Sequence, residues 1–445
     1  MRGIITRMRR LELALCLLAS CFTAPAQTPK LVIVVSRHGI RSPLESMTKY
    51  ARTAWPDLQT AWGVQKLGDL TPHGQDVITL LGAYYRAHYV AAGLLSAADC
   101  PDNQIYFRAD TAERTQHTAM GLVAGLGCGT KIQTCADAAP LCTSTNTDPL
   151  FHPVGPTKGV PDGKKAVKQI TARIGSLDQL LRRYRAPMDL LQSALLCCSD
   201  ASVCPSGTKS CTLPAMTQSL TPGQGSKPVT WKGPFPVGSD AAEIFELEYA
   251  NNLDMTGWGR VTSQSLHDMS VIHTAYFDYY ERTQYLAQIG GSNLATYIMN
   301  TMGQAVTGVG RGQSAPAGSR FVALVGHDTN VANLAAMLGV SWSLPGYQVN
   351  DPAPGGALVF ELHQRQNPKR YVVRMYYQAQ SLRQMRDAAT LTLSEPPGRA
   401  NLAIPGCSDK AAPLDCAYPK FQELVCKAID WSFVSDTDSI CSARP

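Results

Sequence analysis

Three short stretches hold residue types able to handle a phosphate ester. Arg37-His38-Gly39-Ile40-Arg41-Ser42-Pro43 sets one histidine between two arginines, and Gly326-His327-Asp328-Thr329-Asn330 pairs a second histidine with an acid. Arg114 stands in what reads as the first turn of a helix. Backbone N–H groups favour an anion there, and a cation is otherwise disfavoured. A guanidinium fork gives an oxyanion paired, charge-assisted hydrogen bonds. An imidazole can attack phosphorus, and a carboxylic acid can protonate the departing oxygen. The set suits phosphoryl transfer in which positive side chains offset the charge that magnesium offsets in kinases. His38 is therefore the candidate nucleophile and Asp328 the candidate acid, with Arg37, Arg41, Arg114 and His327 as phosphate ligands. No cofactor or metal is expected.

Each candidate also has a plainer reading. A lone histidine is usually solvated, but two flanking arginines after an apolar strand argue against that for His38. Asp328 also stands where a helix N-cap would, which would lower its pKa; a phosphate dianion beside it would raise it again and favour an acidic optimum. Arg114 has the reading of a surface charge, and His327 draws its weight from pairing with His38. His73, at a capped helix start, reads as structural.

The elements that must position these residues follow from the apolar pattern. Leu31 to Val35 and Phe321 to Val325 are unbroken apolar runs, as expected of strands buried on both faces. Ligands of open α/β sheets sit beyond the carboxyl ends of such strands, so neighbouring parallel strands would bring both histidines to one crevice. Thr71-Pro72 opens a helix to about Leu95, Gln104 to Arg108 is a strand, and Asp110 with Glu113 gives a capping box for a helix to about Gly125. Residues 130–165 read as surface loop, 166–196 as helix broken at Pro187, and 199–238 as irregular. A helix from Asp240 to Asn252 and a long one over about 260–288 complete a middle third without strands. In that helix Glu243 would complete a capping box with Asp240. Strands return at Gly356 to Leu362 and Tyr371 to Gln378, with one helix near 420–430 in the tail. The expected fold is a three-layer α/β sandwich with a mostly parallel sheet. Residues 27–45, 66–130 and 282–445 would form the catalytic domain, and 46–65 with 131–281 an inserted helical cap.

Composition narrows the class. With 445 residues, 44% apolar and 17% charged, the chain is globular. Its formal charge is +6, of which residues 1–26 carry +3 through four arginines and Glu12. No basic run supports nucleic-acid binding. Those first residues read as an export signal: basic, then apolar from Leu11 to Phe22, then Ala24-Pro25-Ala26 as a cleavage site. Leu18-Ala19-Ser20-Cys21 gives a second reading, a lipidated Cys21. Nothing reaches transmembrane length. Of 14 cysteines, twelve remain after Cys16 and Cys21. In an exported, periplasmic or secreted chain these read as disulfides, with Cys407 to Cys416 closing a short loop. The cluster Cys197, Cys198, Cys204, Cys211 lacks the spacing of paired zinc knuckles. A monomer acting on a small phosphate monoester is expected.

The two signatures, with Leu70 to Gly74, Glu113-Arg114-Thr115, Asp148 to Phe151, Glu243 to Phe245, Gly257 to Arg260, Pro354 to Gly356 and Gln384 to Asp387, resemble the histidine acid phosphatase family. This is branch 2 of the phosphoglycerate-mutase-like superfamily, and the likeness is to its bacterial acid phosphatases and phytases. The resemblance implies that His38 forms a phosphohistidine, that Asp328 protonates the alcohol and then helps water attack, and that no cofactor is needed. It also implies that Glu243 contacts substrate, and Leu44, Glu45 and Thr329 are placed with it. Phytate-hydrolysing relatives have Thr-Lys after the signature proline, where this chain has Leu44-Glu45. The departure implies phosphomonoesterase activity in which phytate is a poorer substrate than a sugar monophosphate. The usual cysteine within 148–162 is also missing, which leaves Cys426 as a candidate partner for Cys441. A silent phosphate-ester binding protein of the cell envelope is the alternative, with a phosphotransferase or mutase behind it.

Overall fold

The apolar run at residues 31–35 forms the expected strand, and the sheet is assembled on either side of it. The structure is a computed structural model describing residues 28–51, 58–98, 103–134, 147–152, 160–198, 200–225, 227–366, 370–408, 412–436 and 438–442. The expected leader, with Ala26 and Cys21, lies outside the described residues, as do Cys100, Cys135 and Cys142.

The strands are β1 (Pro29–Arg37), β2 (Ile105–Ala109), β3 (Ile132–Gln133), β4 (Ser219–Gln224), β5 (Lys227–Lys232), β6 (Phe321–Gly326), β7 (Ala357–Arg365), β8 (Arg370–Ala379), β9 (Gly398–Leu402) and β10 (Cys416–Ala417). The main sheet runs β10-β8-β7-β1-β6-β2-β3, with β9 also paired to β8. From β1 through β6 and β2 to β3 it is parallel, whereas β7, β8, β9 and β10 pair antiparallel. The sheet is thus mixed rather than mostly parallel. β7 and β8 follow each other closely enough for a hairpin, while each parallel pair needs a long crossover.

Side chains of β1 alternate between two cores. Leu31, Ile33 and Val35 join one cluster with Ile298, Val331 and Phe421. Val32 and Val34 join another with Tyr85 and Leu122. Both faces are covered, which makes three layers, and each buried Val, Leu or Ile contributes about 1.5–3 kcal/mol. After the single turn α1 (Leu58–Trp62), helices α2 (Pro72–Ala91) and α3 (Glu113–Leu126) cover the second face. The first face is covered by α9 (Gln284–Thr307), α10 (Asp328–Met337) and α12 (Tyr418–Ala428).

A third cluster belongs to the helical cap: α4 (Gly163–Ile174), α5 (Leu177–Arg183), α6 (Arg185–Leu195), α7 (Pro234–Ala250) and α8 (Ser263–Tyr279). Here the structure corrects several expectations. The hairpin β4–β5 replaces an expected irregular stretch. The helical breaks fall at Gly175 and Tyr184, and Pro187 sits in the first turn of α6, where its missing N–H costs nothing. The stretch over 260–288 is two helices, α8 and α9. Disulfides join Cys197 to Cys198 and Cys204 to Cys211 in the cap, and Cys407 to Cys416 and Cys426 to Cys441 in the tail. The short tail loop and the Cys426 partner agree with the sequence.

Candidate active site

Strand register brings the chemistry together. Arg37 lies opposite Gly326 and Ala109 opposite Val325, so three chain segments leave the sheet at one level. The first residues past those ends are His38, His327 and Asp110. His38 N donates to Gly326 O at 2.9 Å and Asp110 N to Val325 O at 3.0 Å, which aligns the loops. The imidazoles of His38 and His327 have centroids 5.6 Å apart. The loop after His38 is pinned on every side: Gly39 N donates to Thr118 Oγ1 at 2.8 Å, Gly355 N to His38 O at 2.9 Å, and Thr71 N to Ile40 O at 3.0 Å. Helix α2 approaches so closely that a Cβ on Gly74 would lie 2.4 Å from Ile40 O.

The tautomer of His38 follows from its partner. Nδ1 lies 2.9 Å from Gly39 O, a carbonyl that only accepts, so Nδ1 carries the proton and Nε2 keeps its lone pair. Burial, then Arg114, Arg37 and Arg41, push its pKa well below the ordinary histidine value. His38 is therefore neutral, as a nucleophile requires.

Arg37 is 1% exposed; its Nη1 donates to Pro352 O at 2.7 Å and its Nη2 pairs with Glu243 and, at 3.3 Å, with Asp328. Arg41 Nη2 reaches Glu243 at 3.0 Å. Arg114 Nη2 lies 3.3 Å from His327 Nδ1. Burial raises the Asp328 pKa, but the Arg37 guanidinium brings it below the usual carboxylate range. Its Oδ1 accepts from Thr329 N at 2.7 Å. The N-cap of α10 is His327, and Asp328 is the first helical residue.

Two capping readings are overturned. Helix α7 begins at Pro234, so Glu243 is deep inside it and caps nothing. Its carboxylate instead pairs with the guanidinium groups of both Arg37 and Arg41. Helix α3 has Ala112 as N-cap, and Asp110 does not cap it. Asp110 Oδ2 accepts from His327 Nε2 at 2.7 Å and from His152 Nε2 at 2.8 Å. With Nε2 donating to Asp110 and Nδ1 accepting from Arg114, His327 is neutral, and burial holds its pKa down.

Leu44 is half-buried and Glu45 exposed, at the start of the short turn Glu45–Met47. Neither joins the arginine cluster through a hydrogen bond or ion pair found among the described residues. Thr329, with His152, Trp231, Tyr276, Tyr280 and Glu281, lines a cavity of about 530 Å³. His73 is structural, its Nε2 2.8 Å from Met385 O. Residues not singled out as functional from the sequence are Asp110, His152 and the buried His273, whose Nδ1 lies 3.1 Å from Ser239 Oγ. The signal for Asp110 is the one that marks both histidines: it is the first residue past a buried strand.

A family profile, histidine phosphatase superfamily (branch 2), matches residues 30–153 and 240–378. The chain is 32% identical to the phytase AppA of Escherichia coli over 89% of this chain and 91% of that protein. It is 27% identical to a glucose-1-phosphatase of Providencia rettgeri over 95% and 100%. The Hafnia alvei phytase structure in complex with tartrate superposes with a TM-score of 0.80 at 32% identity, covering 92% of this chain and 99% of that one. Among the described residues no helix is long and apolar enough to cross a membrane. With these likenesses and the mixed α/β sandwich bearing a helical subdomain, the chain belongs to branch 2 of the histidine phosphatase superfamily and is a histidine-type acid phosphatase, a phosphomonoesterase of phytase-like kind.

Proposed function

We propose that the chain hydrolyses sugar monophosphates by double displacement through phospho-His38, outside the cytoplasm, with phytate a poorer substrate. The observation that carries the reading is the neutral His38 with its free Nε2 lone pair, set among Arg37, Arg41 and Arg114. Nε2 attacks phosphorus while the guanidinium groups hold the non-bridging oxygens. Asp328 gives its proton to the leaving alcohol, and its carboxylate then takes a proton from the water that attacks the phosphohistidine.

The proton on Asp328 needs a source, since Arg37 keeps that carboxyl ionised in the free enzyme. A monoester at acidic pH is a monoanion, its second pKa being about 6, and can bring the proton in. For His327 to donate to phosphate through Nδ1 it must gain a second proton, and the Asp110 carboxylate on Nε2 stabilises that imidazolium.

Substrate preference rests on the mouth. Glu45, exposed where phytate-hydrolysing relatives carry a lysine, repels a second phosphate. The cavity beside Thr329 offers the aromatic walls Trp231, Tyr276 and Tyr280, with Glu281, whose pKa burial raises to about 7. Flat rings and a carboxyl that can donate or accept suit a sugar's alternating C–H and hydroxyl surfaces. The similar proteins include both a phytase and glucose-1-phosphatases, so the choice between substrates is a property of this chain's own residues. The disulfides support export. We propose a cap over 46–65 and 131–281; a separate hydrophobic cluster running from Ala166 to Ile289 supports its helical part, whereas Trp62, Leu150 and Phe151 join the core under the sheet and β3 pairs with β2.

The test is kcat/KM for p-nitrophenyl phosphate, a hexose monophosphate and phytate at acidic pH with EDTA, on wild type and His38→Ala. Turnover lost in the variant and a higher value for the hexose ester are expected. Phytate equal or better overturns the preference, and a wild type that binds phosphate esters without turnover favours a binding protein.

A further inference from the structure

We propose that Asp110, His152 and His327 bind one divalent transition ion of the Zn2+ type at the flank of the phosphate site. The three side chains come from separate segments, the ends of β2 and β6 and the turn Asp148 to His152. That turn is anchored: Arg108 Nε and Nη2 donate to Asp148 at 3.0 and 2.8 Å, Leu150 N donates to Asp148 Oδ1 at 2.9 Å, and Asn330 Nδ2 donates to Phe151 O at 2.6 Å. The backbone delivering His152 is therefore fixed before any ligand arrives.

Two imidazole nitrogens converge on one carboxylate oxygen, at 2.7 and 2.8 Å, with the ring centroids 5.1 Å apart. All three donor atoms lie within 4.8 Å of one another. Asp110 is 1% exposed, and its other oxygen, Oδ1, is buried with no hydrogen-bond partner. A hydrogen-bond network alone would leave that oxygen unsatisfied, at a cost of about 1–3 kcal/mol. Two neutral imidazoles and a carboxylate are a donor set zinc takes, with a fourth position for water.

The geometry requires little movement. Metal–donor bonds of about 2.0–2.1 Å in a tetrahedron put donors about 3.3 Å apart, so the two Asp110 contacts open by about half an ångström while the two imidazole nitrogens, now within 4.8 Å of each other, adjust to the same spacing. The His152 side chain is 42% exposed and can supply that shift. It borders the 530 Å³ cavity, which admits a hydrated ion and the fourth ligand. Each imidazole keeps one proton, moved to Nδ1 so that Nε2 can bind. On His327 this sets an N–H against Arg114 Nη2, now 3.3 Å away, so that guanidinium must move aside. The arginine's charge also opposes a cation, and affinity in the micromolar range is expected rather than the nanomolar range of a structural site. Magnesium, which prefers oxygen donors and several waters, is excluded by the same donor set.

The experiment is calorimetric titration of Zn2+, with Mg2+ as comparison, into the full chain in phosphate-free buffer. It is run on wild type, His152→Asn, and His117→Asn as an exposed-histidine control, with circular dichroism to check each fold. One zinc per chain, weakened at least about tenfold by His152→Asn and unchanged by His117→Asn, with no magnesium heat, is expected. Zinc binding that survives His152→Asn in a folded protein overturns the site, as does an absence of zinc heat and of thermal shift in wild type. Neither readout depends on turnover, so failure here is distinguishable from failure of the hydrolase reading.

Discussion

The phosphate cradle is supplied by two regions that work by different means. The carboxyl edge of the sheet holds His38, His327 and Asp110 through strand register, with β1, β6 and β2 ending level. The cap reaches the same place through one buried side chain, Glu243, carried in the middle of α7 and paired to two arginines of the sheet loop. On the proposed reading, residues fixed by register carry the chemistry, and the cap's residue sets what the chemistry admits. Substitutions on the two sides should therefore differ in kind as well as size.

The largest effect belongs to the sheet edge. His38→Ala removes the nucleophile, and turnover of every ester should fall by at least about 10⁴, since groups acting as a unit lose nearly everything together. Residual turnover within tenfold of wild type would break the comparison. Asp328→Asn should cost about 10²–10⁴ in kcat with a sugar phosphate. The loss should be smaller with p-nitrophenyl phosphate, whose leaving oxygen needs less protonation; equal losses would remove Asp328 from the acid role. In the pH profile of kcat/KM, His38 is neutral until far below the ordinary histidine range, because burial and Arg114 hold its pKa down. Activity should persist as pH falls through 6 and decline on the alkaline side above about 6, where the ester loses its second proton. An acid limb near pH 6.5 would mean an unperturbed histidine.

Substitutions outside the sheet edge should give the smaller changes. Glu243→Gln frees the two guanidinium forks of a competing carboxylate. Inorganic phosphate should then bind about three- to tenfold more tightly, about 0.7–1.4 kcal/mol, measured as product inhibition. Weaker phosphate binding would place Glu243 among the groups that hold the ester. The smallest shift expected is from Leu44→Thr with Glu45→Lys, a several-fold gain in kcat/KM for phytate relative to a hexose phosphate, against no change if the pair is only surface.

The same division governs what was legible in the amino-acid order. The apolar runs at 31–35 and 321–325 announced two strands and the histidines beyond them, because burial on both faces leaves a local trace. Asp110 carries the local signature of a cap, because Asp-x-x-Glu is a capping pattern, while its actual partners lie 42 and 217 residues away. The hairpin β4–β5 hides behind Pro222 and Pro228. Proline is tolerated there because each strand of a two-stranded sheet is an edge. The start of α7 hides in the same way, with Pro234 and Pro236 in a first turn that spends no N–H. The family resemblance singles out Glu243, but its reach to Arg37 depends on how helices pack, which no local period records.

The cap helices lie in the chain between β3 and β6, while the strands that carry the histidines keep their own pairing. This makes the helical portion exchangeable in principle. A graft from another phosphatase would leave the register of the sheet untouched, provided it returns a carboxylate to the two arginines and refills the places of Leu247 and Ala250 in the sheet-side core. Substrate range can then drift by wholesale replacement of one portion, while the phosphoryl chemistry is inherited unchanged from the other.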